Sequence, residues 1–362
     1  MGGARSHVLG LVPELATITP EDETLLLAQP DLLRELPLLP SSWTLRAERA
    51  ETRGFLGRLA WEQRILPRIA ERWGADVLLS FGSFVPLRSS FSSVLEAGNA
   101  LAFTRLYWQV LKSEPLRLQV EEHARWALLR ASLRAAARVL TPTRAMRQDV
   151  VMHLPDLASK VDVALWGVAP IFHNIRWRQP PGDVVILGVS KHGINKEFDV
   201  LIAALPEIVR RCPAARVVLT GTPDESRWSR RSQALAQRLR VDDRVCFVGD
   251  VPNGRIPALI QSARLLVFPT WSESFGLPLA EALAMGAPAV AADIPACREV
   301  GAEAACYYTP GDPASMADVI GHLLASPESS EALAEKAYAR GKAFQWRDNA
   351  LGVRNTLLKA VA

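Results

Sequence analysis

Between residues 183 and 310 the chain repeats one pattern, a short β-branched apolar run followed by a stretch of helical periodicity. The runs are DVVILGVS (183–190), ARVVLTG (215–221), RVCFVGD (244–250), ARLLVFPT (263–270), APAVAAD (287–293) and ACYYTP (305–310). Strands this uniformly apolar are buried on both faces. Alternating with amphipathic helices, they restrict the half-chain to βαβ units and a parallel sheet covered on each side. Six strands make one doubly wound domain.

The first half repeats the plan less cleanly. LLLAQP (25–30), ADVLLSFGS (75–83), SSVLEAGNA (92–100), ARVLTPT (137–143) and KVDVALWGVAP (160–170) read as strands, with helices over 4–17, 55–73 and 115–136. Trp61, Trp108 and Trp126 fall on those helical patterns and read as packing residues. IRWRQPPGD (175–183) has a Pro-Pro-Gly centre and no apolar period, so the linker is expected at 179–182. The expected domains are therefore 1–178 and 183–343, with a last helix over 344–362. In a doubly wound domain the glycine loop follows the first strand, yet Gly2-Gly3 open this chain. Either a strand precedes Met1 in the natural protein, or the N-terminal sheet lacks its first strand and has a gap at its centre.

Composition narrows the function. The longest apolar run, 282–292, is interrupted by Gly286 and Pro288, and a membrane-spanning helix needs about 18 such residues. Cys212, Cys246, Cys297 and Cys306 have neither disulfide-framework nor zinc spacing, and the start does not read as a secretory signal. The expectation is a cytoplasmic protein with reduced thiols. Residues 1–180 carry 22 Lys+Arg against 18 Asp+Glu, and residues 181–362 carry 20 against 20. All the excess positive charge thus falls in the first half, which suits a solvated surface or a peripheral contact with anionic lipid at the inner membrane face. The dispersed cations and missing motifs argue against nucleic acid as a partner.

Chemistry concentrates in SESFGLPLAEALAMGAP (272–288), directly after Phe268-Pro269-Thr270. Glu273 and Glu281 are separated by seven residues, with Gly276 permitting a tight turn and Pro278 suiting a first helical turn. A helix starting there presents N–H groups and its positive dipole end to an anion. Glu273 would lie in the loop above, at the carboxyl edge of the sheet, and Glu281 about one turn into the helix. Both could accept hydrogen bonds from vicinal hydroxyls of a sugar or ribose. The plainer alternative is a dipole-favoured carboxylate and a surface glutamate. No Asp-X-Asp triplet occurs, so a carboxylate-held divalent metal is not indicated, and no cofactor is expected. His192, beside Lys191, reads either as a site residue or as part of the loop.

The 272–288 segment resembles the E-x7-E element of the family 4 retaining glycosyltransferases, and the resemblance extends over most of the chain. GVSKHGINKEFDVLI (188–202) is similar to the strand–loop–helix in which that family holds the donor diphosphate with an arginine and a lysine. Lys196 falls on the family lysine and Lys191 on the arginine position, where a point charge replaces a fork. Val251-Pro252 resembles the nucleobase-facing loop, and WGVAPIF (166–172) the interdomain sequence. Gly2 and Gly3 lie in a stretch resembling the acceptor-side loop, and FQWRDNA (344–350) the start of a last helix that crosses back.

The resemblance implies a GT-B fold, two Rossmann-like domains facing a cleft, with the acceptor on the first and a nucleotide-diphosphate sugar on the second. It implies retaining hexosyl transfer to a glycan, lipid-linked or other hydroxyl acceptor, in cell-surface polysaccharide or glycolipid biosynthesis. Glu273 would orient the donor sugar, Glu281 the ribose, and Lys191 and Lys196 the diphosphate at the other end of the donor. Ser274, Phe275, Gly276, Leu277 and Gly221 would line the donor pocket. Asn99, at a strand end, stands where such domains place acceptor contacts, and is equally a common turn residue. The alternative is a non-catalytic nucleotide-sugar-binding protein, or an inactive subunit of a polysaccharide assembly.

Overall fold

The structure, a computed structural model, describes residues 3–49, 54–81 and 84–362; Gly2 lies outside the described residues. Contacts divide the chain into two compact units. The first comprises Ala4–Gly167 with Gln345–Ala362, and the second Val168–Phe344 with Gly3. The unit boundary thus falls ahead of the expected linker at 179–182. The reason is Trp177, which is buried in the second unit, donating its backbone N–H to Met285 O at 2.7 Å and its indole Nε1 to Ala263 O at 3.0 Å. A lone aromatic anchor in an aperiodic stretch has no pattern for the sequence to reveal.

The first unit contains β1 (Thr24–Ala28), β2 (Trp43–Ala47), β3 (Val77–Ser80), β4 (Ser92–Glu96), β5 (Arg138–Thr141) and β6 (Val161–Val163). They form two parallel sheets, β1-β2 and β3-β4-β5-β6. Among the described residues no strand precedes the opening helix Gly3–Ile18. The sequence does not announce β2, because only Trp43 of WTLRA is buried and its other residues are exposed. The helix Trp346–Val361 lies on the four-stranded sheet, tied by Asn349 Nδ2 donating to Ala164 O at 3.0 Å and by Lys359 pairing with Asp162 at 2.9 Å. Gly167 permits that approach, since a Cβ there would sit 2.4 Å from Trp346 N.

The second unit contains β7 (Val184–Gly188), β8 (Ala215–Leu219), β9 (Val245–Phe247), β10 (Leu265–Phe268), β11 (Ala289–Ala292) and β12 (Cys306–Tyr308). All pair in parallel, in the order β12-β11-β10-β7-β8-β9. This is the doubly wound sheet that the six apolar runs specify. Its core interleaves Ile186, Val217, Val267 and Val290 with Leu201, Leu205 and Ile320 from the helices. No described helix is long and apolar enough to cross a membrane.

A buried polar knot joins the end of β4 to the opening helix and to Trp166 in the first unit. Glu96 ends β4 and accepts from Trp166 Nε1 at 2.6 Å, and His7 stacks on Trp166 with ring centroids 4.5 Å apart. His7 Nε2 lies 3.3 Å from Glu96 Oε1. Both groups are under a tenth exposed, so desolvation favours their neutral forms. Burial pushes the Glu96 carboxyl up to about 8 and the His7 imidazole down to about 3. A carboxyl raised from 4.5 stabilises the fold fully below that value. The contribution is lost as pH rises through about 8, because the native state then holds a proton that the unfolded chain has released. We expect Glu96→Gln to have a higher Tm than the parent near pH 9, with the difference shrinking toward pH 5. Calorimetry across that range showing a pH-independent difference would contradict the burial of a protonated carboxyl.

Candidate functional site

The strand order of the second unit reverses between β7 and β10. The chain leaves β7 toward β8 on one side and leaves β10 toward β11 on the other. Loops departing in opposite directions open a crevice at the carboxyl ends of these two strands, the usual ligand position in open parallel sheets. The loop after β7 carries Lys191, His192 and Lys196; the loop after β10 carries Glu273 to Leu277. Both sequence-predicted clusters therefore arise at one switch point.

The two loops are stapled. Lys196 and Thr270 form an isolated antiparallel bridge. Trp271 donates its backbone N–H to Asn195 O at 3.1 Å and its indole Nε1 to Ile194 O at 3.1 Å. Asn195 Nδ2 donates to Ser272 O at 2.8 Å and to Glu273 Oε1 at 3.3 Å. Glu197 N donates to Pro269 O at 3.0 Å, and its buried carboxylate accepts from Tyr308 Oη at 2.6 Å. The sequence reading passed over Asn195, Glu197 and Thr270. For Asn195 and Glu197 the only signal is a polar triplet, Asn-Lys-Glu, at the approach to an apolar helix, and Thr270 has none.

Inside this frame Lys196 Nζ forms an ion pair with Glu273 Oε1, the two side chains 13% and 15% exposed. The ammonium also stands 4.7 Å from the centroid of the Phe268 ring. The two residues expected to serve opposite ends of a donor are thus in direct contact with each other. Removing one partner of so enclosed a pair leaves the other uncompensated.

Behind Glu273 the chain turns into the helix Leu277–Met285. Gly276 is its N-cap, with φ +95° and no side-chain cap, and Pro278 occupies the first turn. A Cβ at Gly276 would stand 2.9 Å from Phe268 Cε1, so both the left-handed backbone and the close approach require glycine there. Phe275 is fully buried and meets Phe344 edge-on at 5.8 Å, and Ser274 and Leu277 are buried beside it in the chain. Glu281, one turn along, is half-exposed, yet desolvation pushes its carboxyl up to about 7.

Lys191 is exposed and pairs with no described residue. His192 is a wedge in the loop: it is 5% exposed, its Nε2 lies 2.9 Å from Thr220 O, and its ring packs against Phe198. Burial lowers its pKa. Gly221 and Gly249 bridge the ends of β8 and β9, both with positive φ, and half-buried Val251 follows. Gly3 opens the helix Gly3–Ile18, and on the first unit Asn99 caps the 3-10 turn Ala100–Phe103, accepting from Leu101 N at 3.2 Å. No group of three or more His, Cys, Asp or Glu among the described residues is arranged to hold a metal.

The fold is the GT-B fold. Sucrose-phosphate synthase from Thermosynechococcus elongatus superimposes with a TM-score of 0.73 at 17% identity, covering 95% of this chain and 91% of that one. Anabaena HepE in complex with UDP-glucose does so with a TM-score of 0.73 at 18% identity, covering 99% and 96%. Residues 173–340, nearly the whole second unit, match the family model of the group 1 glycosyl transferases. A curated relative, the D-inositol 3-phosphate glycosyltransferase of Nocardia farcinica, is 32% identical over 179 residues. That match takes in 48% of this chain and 40% of the relative's own length.

Proposed function

We propose that the protein is a retaining glycosyltransferase that moves a hexosyl group from a nucleotide-diphosphate sugar to a hydroxyl acceptor. The observation that carries this reading is the Lys196–Glu273 pair at the switch point, set above the uncapped start of the helix Leu277–Met285. A diphosphate bound there meets the ammonium of Lys196 and the positive end of a helix. As the glycosidic bond breaks, charge builds on the leaving diphosphate, and a preorganised cation in a sheltered crevice stabilises it more than it stabilises the ground state. Glu273 holds Lys196 in place and offers its remaining acceptor capacity to the donor sugar's hydroxyls. Lys191 supplies a second, mobile cation. With cations and a helix start on the diphosphate, the reaction runs without a divalent metal.

Departure and attack occur on one face of the sugar, which retains the anomeric configuration. The match to group 1 glycosyl transferases over the second unit and the UDP-glucose bound by HepE support a sugar nucleotide as donor. The acceptor is a hydroxyl compound, as the inositol phosphate in the curated relative's name is. A role in making cell-surface polysaccharide or glycolipid follows from such chemistry, with peripheral membrane contact through the first unit.

Removing Lys196 costs stabilisation of the leaving group, and removing Glu273 costs placement. We expect Lys196→Ala to lower kcat by on the order of 10² to 10³. Glu273→Ala should lower it by on the order of 10². Because the side chains pair, the double variant should fall far short of the product of the two losses. Parent activity should survive EDTA to within about twofold. Folded single variants that transfer sugar at the parent rate would remove the assignment and leave a sugar-nucleotide-binding protein in its place.

Glu281 gives a pH signature. A carboxyl near 7 is protonated at acid pH, and only its ionised form accepts from both ribose hydroxyls. Donor affinity should rise about tenfold between about pH 6 and about pH 8, following the ionised fraction. Glu281→Gln should flatten that dependence while leaving kcat close to the parent value. Calorimetric titrations showing the same slope in parent and variant would contradict the ribose contact.

A further inference from the structure

Lys191 presents an exposed side chain, but the backbone on both sides of it is held. Ser190 and His192 each have their N–H and their C=O tied to one neighbouring segment, residues 220–226 after β8. Thr220 Oγ1 accepts from Ser190 N at 3.0 Å and donates to Ser190 O at 3.2 Å. Glu225 Oε1 accepts from His192 N at 2.9 Å, and Ser226 Oγ donates to His192 O at 3.0 Å. The His192 ring adds a fifth tie, its Nε2 2.9 Å from Thr220 O.

The segment supplying these groups is held in its turn. The second oxygen of Glu225 accepts from Thr222 N at 3.2 Å, so one carboxylate joins two loops. Ser226 is the N-cap of the helix Arg227–Arg238, accepting from Trp228 N at 3.2 Å and from Ser229 N at 3.1 Å. Gly221 leaves the room that the carboxylate needs. Its φ is +87°, and a Cβ there would stand 2.4 Å from Glu225 Oε2 and 3.0 Å from His192 Cδ2. The glycine expected to line a donor pocket is thus required, on this structure, to admit Glu225.

A carboxylate bonded next to Lys191 has two opposing effects on an anionic ligand. Its charge repels the anion, while its backbone hydrogen bonds fix the point from which the Lys191 ammonium reaches out. Fixing that point lowers the ordering cost when the cation meets a ligand. Glu225 is exposed, so water and salt screen its charge. The bonds to His192 N and Thr222 N are local and charge-assisted, and they keep their effect. Positioning therefore outweighs repulsion.

We propose that Glu225, with Thr220 and Ser226, is a positioning residue for the donor diphosphate, acting through Lys191. The proposal rests on the transferase reading, in which Lys191 is a diphosphate contact. Calorimetric titration of the parent with UDP, GDP, dTDP and ADP selects the nucleotide that binds. The same titration is then run on Lys191→Ala, Glu225→Ala, Glu225→Gln and the double alanine variant. Lys191→Ala should weaken binding by on the order of tenfold, the worth of one charge-assisted contact. Glu225→Ala should weaken it by about fivefold even though a negative charge is removed. Glu225→Gln keeps one acceptor oxygen and should fall between that variant and the parent. The double variant should bind as Lys191→Ala does, because no cation is left to position. Should Glu225→Ala not fold, Thr220→Val releases Ser190 without altering any charge and gives the same readout, alone and combined with Lys191→Ala.

Tighter binding by Glu225→Ala would show the carboxylate acting through its charge, and overturns the proposal. So does a loss of equal size with and without Lys191, which is the mark of general loosening. Unchanged binding by Glu225→Ala overturns it too and leaves the transferase reading standing. A parent that binds none of the four nucleotides removes that reading, and this role with it.

Discussion

The reversal of strand order between β7 and β10 is the constraint on which the candidate donor site depends. A parallel sheet whose connections run outward both ways from its centre leaves two loops with no helix crossing above them. Backbone hydrogen bonds from Trp271 to Asn195 and from Glu197 to Pro269 then tie those loops into one surface. That is why Lys196 and Glu273, far apart in sequence, meet as an enclosed ion pair. Side chains held by two stapled loops are already placed when a ligand arrives, which is the condition for electrostatic stabilisation of a transition state.

The first unit answers to a different constraint. Its sheets are shorter and split, and its last helix comes from the far end of the chain, closing over the four-stranded sheet through Asn349 and Lys359. Glu96, His7 and Trp166 sit beneath. Burying two titratable groups in neutral form is costly once the pH leaves their neutral window. The unit therefore carries more pH sensitivity than stability from this knot. What it gains is specificity of packing: an indole with its donor matched and a histidine stacked upon it admit few alternative arrangements.

Much of this was legible in the sequence, and the reasons are particular. The central strands β7, β10 and β11 of the second unit are apolar runs buried on both faces, so there the pattern and the fold coincide. Glu273, Gly276, Pro278 and Glu281 were legible because turn and helix start each demand a residue type. The pairing of Lys196 with Glu273 was not, since it is a contact between two loops with no local signature. β2 escaped because four of its five residues are exposed, and the unit boundary because Trp177 is a single buried anchor.

The central claim is that the Lys196–Glu273 crevice holds the diphosphate of a sugar nucleotide. A thermal-shift panel of UDP-, GDP-, dTDP- and ADP-sugars tests it most directly. A donor at a hundredfold excess over its Kd should add about 2.7 kcal/mol of apparent stability. The account predicts that at least one base gives such a shift on the parent and that folded Lys196→Ala loses it. A panel with no shift, or a shift equal in parent and variant, would contradict it.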